Sequence, residues 1–172
     1  NVKEIANENN NINDVNENYE EYLNTNHFND TGLLNKKNEA NYFLRIAFSE
    51  FTTDDLNALY KDFYDLTIYL LSNYKNSGKT LIIQTPNEMD WSMIGTFDTT
   101  KTPSPLAIRN ATAYWNQIQN AINDAKIAMP EDGVKIYHGC ELNLVQKAMN
   151  GAKTVTNDVL PNTHCDLYGY SA

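Results

Sequence analysis

Apolar residues recur every three or four positions from Leu56 onward: Leu56, Leu59, Tyr60, Phe63, Leu66, Leu70, Leu71 and Tyr74. That period lines them along one face of an α-helix. Thr52 and Thr53, followed by Asp54 and Asp55, supply an N-cap and first-turn acids. Asn76-Ser77-Gly78 ends the segment, which predicts a helix near 53–75. A second stripe runs through Ile108, Ala111, Trp115, Ile118, Ile122, Ala125 and Met129. It is opened by Ser104-Pro105 and stopped by Pro130 and the turn at Asp132-Gly133, predicting a helix near 105–129. Between and after these helices lie compact runs suited to buried strands. They are expected near 80–85, 134–139 and 166–171. Leu144, Val145, Ala148 and Met149 make a short helix closed at Gly151. The run Tyr42–Phe48 is expected as a buried strand or the approach to a loop.

Strands separated by helices follow the rhythm of βαβ units and a parallel sheet. Two architectures fit: an open doubly wound sheet or a piece of a (β/α)8 barrel. The glycine-rich turn that a dinucleotide or P-loop sheet places after a strand is absent. The strand ends are polar and aromatic instead. The first offers Asn87, Glu88, Asp90 and Trp91; the second His138, Glu141 and Asn143; the third Tyr168, Tyr170 and Ser171. Functional side chains gathered at the C-terminal ends of parallel strands characterise the active face of a barrel.

Composition divides the chain. Residues 1–40 hold 13 Asn, as many as the other 132 residues together. They carry 3 Lys+Arg against 8 Asp+Glu, a net of −5, while residues 41–172 carry 10 against 14, a net of −4. The chain is therefore read as an Asn-rich, acidic, low-complexity extension over 1–40 and one folded domain over 41–172. The total of −9 argues against a non-specific nucleic-acid partner. No apolar run is long enough for a membrane span. A chain opening on Asn1 is expected to be cut from something longer, with any signal peptide outside it. Two sequons, Asn29-Asp30-Thr31 and Asn110-Ala111-Thr112, are compatible with a secreted or lumenal parent.

Glu88 carries the chemistry in this reading. A carboxyl at a barrel mouth beside another acid can have its pKa raised enough to act as a general acid. Glycosidic cleavage needs two carboxyls flanking the bond. Asn87 can hold a sugar hydroxyl beside the acid, and Trp91 gives a sugar ring a flat face. The plainer alternative has Glu88 capping a loop or pairing with a surface lysine. Glu141, on the neighbouring strand, is either its partner carboxylate or the cap of a helix beginning near Leu142. His138 is read as a hydrogen-bonded barrel residue and Cys140 as a small core residue. Cys140 and Cys165 are expected to be unbonded, at opposite edges of the sheet. No metal is expected, because His27, His138 and His164 lack a close ligand spacing. No cofactor is expected either. No G-x-S-x-G elbow supports a serine nucleophile.

The run Gly78–Gln84 leading into Asn87-Glu88-Met89-Asp90-Trp91 resembles the strand-four segment of (β/α)8-barrel glycoside hydrolases. It is similar to their large retaining clan, which includes many cellulases and mannanases. The stretch from Val134 through Glu141-Leu142-Asn143-Leu144-Val145 to Asp166–Ala172 is similar to uncharacterised barrels of that superfamily. The resemblance covers about residues 42–172. It implies a partial TIM barrel spanning about strands three to six, a carbohydrate substrate, Glu88 as acid/base and Asn87 as a contact to the sugar 2-hydroxyl. Trp91, His138, Glu141 and Tyr170 complete the expected substrate-binding set. The clan's nucleophile, a second Glu on strand seven, would lie beyond this chain. A non-catalytic carbohydrate-binding barrel or an inactive truncated one is the alternative.

Overall fold

The computed structural model describes residues 46–86, 88–130 and 133–171. The Asn-rich segment 1–40 and its boundary with the folded domain lie outside the described residues, as do 42–45 of the early apolar run. The described end of that run, Ile46–Phe48, is helical rather than extended.

The first long helix, α1, is Thr53–Asn73. Thr52 closes a capping box with Asp55: Thr52 Oγ1 accepts from the Asp55 amide at 3.2 Å, and Asp55 Oδ2 accepts from the Thr52 amide at 2.8 Å. Two otherwise unpaired donors are thus satisfied at the point where the sequence placed the helix start. Strand β1, Lys79–Gln84, follows. A six-residue helix, α2, runs over Met89–Ile94. The second long helix, α3, is Pro105–Ala128, with Ser104 Oγ accepting from the Ala107 amide at 3.1 Å. Then come β2, Val134–Leu142, and α4, Val145–Met149. A π-turn at Val155–Val159 and a 3-10 turn at Leu160–Asn162 lead to β3, Leu167–Tyr170.

The three strands form one sheet in the order β1-β2-β3, and both pairings are parallel. Ile83 lies beside His138, and Gly139 beside Leu167. The protein is therefore a mixed α/β chain with a small parallel sheet, and the long helices form a layer on one side of it. α3 packs on β2, and α1 packs on α3. The core between them holds Leu59, Phe63 and Leu71 from α1. From α3 come Trp115, Ile118 and Ile122, and from the sheet Ile83, Val134 and Ile136. Tyr60 OH donates to Asp124 Oδ2 at 2.7 Å across the two long helices. That bond, with burial and the Asp124 charge adding to it, pushes the phenol pKa up to about 12. Asn110 is buried, and its amide donates to the carbonyls of Ile46 and Ser49 at 3.0 and 2.8 Å. The second sequon is thus held inside the fold and is not a surface acceptor.

The β3 register corrects the expectation for the cysteines. Cys140 and Cys165 are disulfide-bonded, with Cα atoms 6.6 Å apart. The expectation of separation assumed strands that start flush. Instead β2 extends through Leu142, and β3 is staggered so that its first residue pairs with Gly139. The approach to β3 therefore passes beside the C-terminal half of β2, where Cys140 sits.

The turn joining α3 to β2 leaves no room for a side chain at Gly133. Its φ is +86°, and an added Cβ would lie 2.9 Å from the Asn76 Cα. Its carbonyl accepts from the Gly78 amide, tying the starts of β1 and β2 together. Gly133→Ala should destabilise the protein by about 1–3 kcal/mol, read as a lower urea midpoint with an unchanged m-value. A neutral substitution would contradict this turn geometry.

Candidate functional site

Two polar groupings stand out, one above the C-terminal ends of the strands and one beneath them against α3. At the strand ends, Glu88 lies in the connection between β1, which ends at Gln84, and α2, which begins at Met89. Its backbone is left-handed, at φ 62° and ψ 49°, which is uncommon for a residue with a Cβ. The conformation turns the chain from β1 into α2. The Glu88 amide donates to Glu141 Oε2 at 3.1 Å, and that carboxylate also receives longer contacts of 3.4 Å from Gln84 Nε2 and Asn143 Nδ2. Glu141 is buried near the end of β2. It does not cap a helix, because α4 begins only at Val145. The structure joins Glu141 to Glu88 through the Glu88 backbone. Trp91, in α2, is half-buried, and its ring lies 5.7 Å from that of Phe97. Tyr170, at the end of β3, is 62% exposed. Asn87 lies outside the described residues.

Asp90 is the staple of this end of the molecule. It is 1% exposed. Its Oδ2 accepts from the amides of Asn143 and Leu144, each at 3.1 Å, and its Oδ1 from the amide of Val155 at 2.8 Å. One carboxylate thus satisfies three backbone donors from the β2–α4 connection and from the π-turn. Each bond to a charged acceptor contributes about 1.5–3 kcal/mol. Asp90→Ala leaves three donors, one buried and two part-buried, without this partner and should cost roughly 3 kcal/mol or more. Chemical denaturation of the variant checks this, and a loss under about 1 kcal/mol would contradict the staple.

The second grouping is buried between sheet and helix. His138 is 0% exposed and faces α3, away from the strand-end carboxylates. Its Nδ1 lies 3.1 Å from Gln119 Oε1, and its Nε2 lies 2.9 Å from Thr85 Oγ1. Gln119 Nε2 faces Asp166 Oδ2 at 3.2 Å and Asn123 Oδ1 at 3.0 Å. A carboxylate only accepts, so the Gln119 amide must point its nitrogen at Asp166 and its oxygen at the ring. His138 therefore carries its proton on Nδ1, and the Thr85 hydroxyl donates to Nε2. The Thr85 carbonyl accepts from Trp115 Nε1 at 2.6 Å. Asp166 also accepts from the His138 amide at 2.9 Å and pairs with Lys126 at 3.6 Å. Burial tends to raise the Asp166 pKa. The donors at His138 and Gln119, with the Lys126 charge, outweigh it and hold the carboxyl below its usual range.

The Cys140–Cys165 bridge lies beside this ring, with Cys140 Sγ 3.9 Å from His138 Nε2. The absence of close ligand spacing in the sequence hid a cluster made in space. One donor atom each from His138, Cys140 and Cys165 lies within 4.8 Å of the others. Gln119 was also overlooked, although a signal was present. It falls on the buried stripe of α3 between Ile118 and Ile122, and a polar residue there needs a buried partner. Among the described residues no helix is long and apolar enough to cross a membrane.

Compared with protein-family models, curated proteins and solved structures, the chain matches none.

Burial pushes the His138 pKa down to about 4, against a smaller upward pull from Asp166; His164 and Lys126 push it further down. The unfolded chain takes up this proton near pH 6.5 and the folded chain only near pH 4. Stability from keeping the ring neutral is thus fully present above about pH 6.5 and is lost as pH falls toward 4, by on the order of 3 kcal/mol. The Asp166 contribution fades only in and below the ordinary carboxylate range, at lower pH. Urea unfolding at about pH 7 and about pH 4.5 should show this loss in the wild type and much less of it in His138→Gln. Equal pH dependence in the two proteins would contradict it.

Proposed function

We propose that this chain belongs to a retaining glycoside hydrolase of (β/α)8 architecture, with Glu88 as its general acid/base. The observation that carries the reading is the placement of Glu88. It stands in the connection that leaves the C-terminal end of a parallel strand, in a left-handed backbone conformation, with its amide held by the buried Glu141. Non-glycine residues held in sparsely populated backbone regions cluster at functional sites, and the C-terminal ends of parallel strands are where barrel enzymes place their chemistry. Trp91 and Tyr170 lie on elements at the same end and offer aromatic surface for a sugar ring. In this reading Glu88 protonates the leaving oxygen while a second carboxylate attacks the anomeric carbon, and Glu88 then deprotonates the water that displaces that carboxylate. Glu141 acts as a positioning residue, since its carboxylate is spent on the Glu88 amide. Asn87 contacts the sugar beside the acid.

The test is turnover of aryl β-glycosides by the full-length protein, with and without Glu88→Gln. Loss of the acid should lower the rate by about 10²–10⁴-fold, most severely for poor leaving groups, which depend on protonation. A protein that hydrolyses the substrates equally well with Gln at position 88, or hydrolyses none of them, would overturn the proposal.

A further inference from the structure

The bridge beside His138 has the makings of a metal site once it is opened. We propose that, on reduction of the Cys140–Cys165 bond, the chain binds a thiophilic divalent cation of the zinc type through Cys140, Cys165 and His138 Nε2. Their donor atoms already lie within 4.8 Å of one another, and all three residues are buried. A tetrahedral zinc has bonds of about 2.3 Å to sulfur and about 2.0–2.1 Å to imidazole nitrogen. Those lengths separate a coordinated sulfur and nitrogen by roughly 3.5 Å, close to the 3.9 Å between Cys140 Sγ and His138 Nε2.

The ring is also prepared for the role. Gln119, oriented by Asp166, accepts the Nδ1 proton and leaves the Nε2 lone pair on the side of the sulfurs. Metal-bound histidines are held in just this way, by an acceptor on the other ring nitrogen. Thr85 now donates to Nε2, so its hydroxyl must turn away when a metal takes that lone pair. A solvent ligand would complete the tetrahedron. Imidazole with two thiolates is a donor set that selects zinc over magnesium or calcium.

A dithiol reductant attacks one sulfur of the bridge as its thiolate, forming a mixed disulfide and releasing the other sulfur. Its second thiol then displaces the first, so the reductant ends as a cyclic disulfide and the chain as two thiols. Two electrons have passed to the bridge. The cation then displaces one proton from each thiol to solvent.

Cobalt(II) is the probe, titrated into the full chain before and after reduction by a phosphine, which ends as its oxide. The reduced protein should take up one cobalt per chain, with the visible bands of tetrahedral coordination and thiolate-to-cobalt charge transfer in the near ultraviolet. The oxidised protein should take up none. Gln119→Ala should retain the charge-transfer band while weakening binding by about 10–100-fold, and His138→Gln should weaken it at least as much. Circular dichroism is recorded alongside. If reduction loosens the fold, cobalt should restore the lost ellipticity, because binding to such a site is coupled to folding. The proposal is overturned if the reduced chain stays folded and takes up no cobalt, or loosens and is not restored. Cobalt bound as tightly by His138→Gln, or by the oxidised chain, would overturn it too.

Discussion

A neutral histidine with both ring nitrogens occupied holds the sheet to its helix layer. His138 sits in the middle of β2, register partner of Ile83, with no exposure to solvent. A buried polar ring is costly unless each nitrogen finds a partner. One partner, Gln119, comes from α3 and the other, Thr85, from the end of β1. Trp115 adds a bond from α3 to the Thr85 carbonyl. Three elements are thus fixed to one another by a chain in which each amide, hydroxyl and carboxylate has a single allowed direction. Asp166 sets that direction, because only its acceptor character decides how Gln119 lies.

The strand-end geometry depends on this arrangement. β1 and β2 must keep their register for the Glu88 amide to reach Glu141, and the β2–α4 connection must lie over α2 for Asp90 to collect its three donors. Both carboxylates serve backbone amides, which makes the strand-end loops rigid. The disulfide acts at the other border of the same network, tying the approach to β3 to β2 two residues from the buried ring.

Much of the fold was legible in the sequence, for physical reasons. Period and capping set the long helices: the structure gives 53–73 and 105–128 against expected spans of 53–75 and 105–129. The β-branched run at β1 and the alternating one at β2 located the central strands, and the parallel pairing followed from their helical connections. What escaped was decided by tertiary context. α2 is six residues long and opens on a left-handed Glu88 that makes no side-chain cap bond, so no start signal exists. β3 is four exposed residues, too short and too solvated for its pattern to reveal the stagger that brings the cysteines together. The candidate site was legible in its residues more than in their contacts. Glu88, Glu141 and Trp91 were singled out at the strand ends, but the backbone bond joining Glu88 to Glu141 is not a pattern that spacing can show. His138 was expected to be hydrogen-bonded, and the structure names its partners.

The tautomer of the His138 ring reports the direction of the hydrogen bonds that run through it. Long-range nitrogen–proton correlation NMR on labelled protein near neutral pH distinguishes a protonated ring nitrogen from a bare one. His138 should be neutral with its proton on Nδ1. A proton on Nε2 alone, or on both nitrogens, would reverse the chain from Asp166 to Thr85 and contradict it.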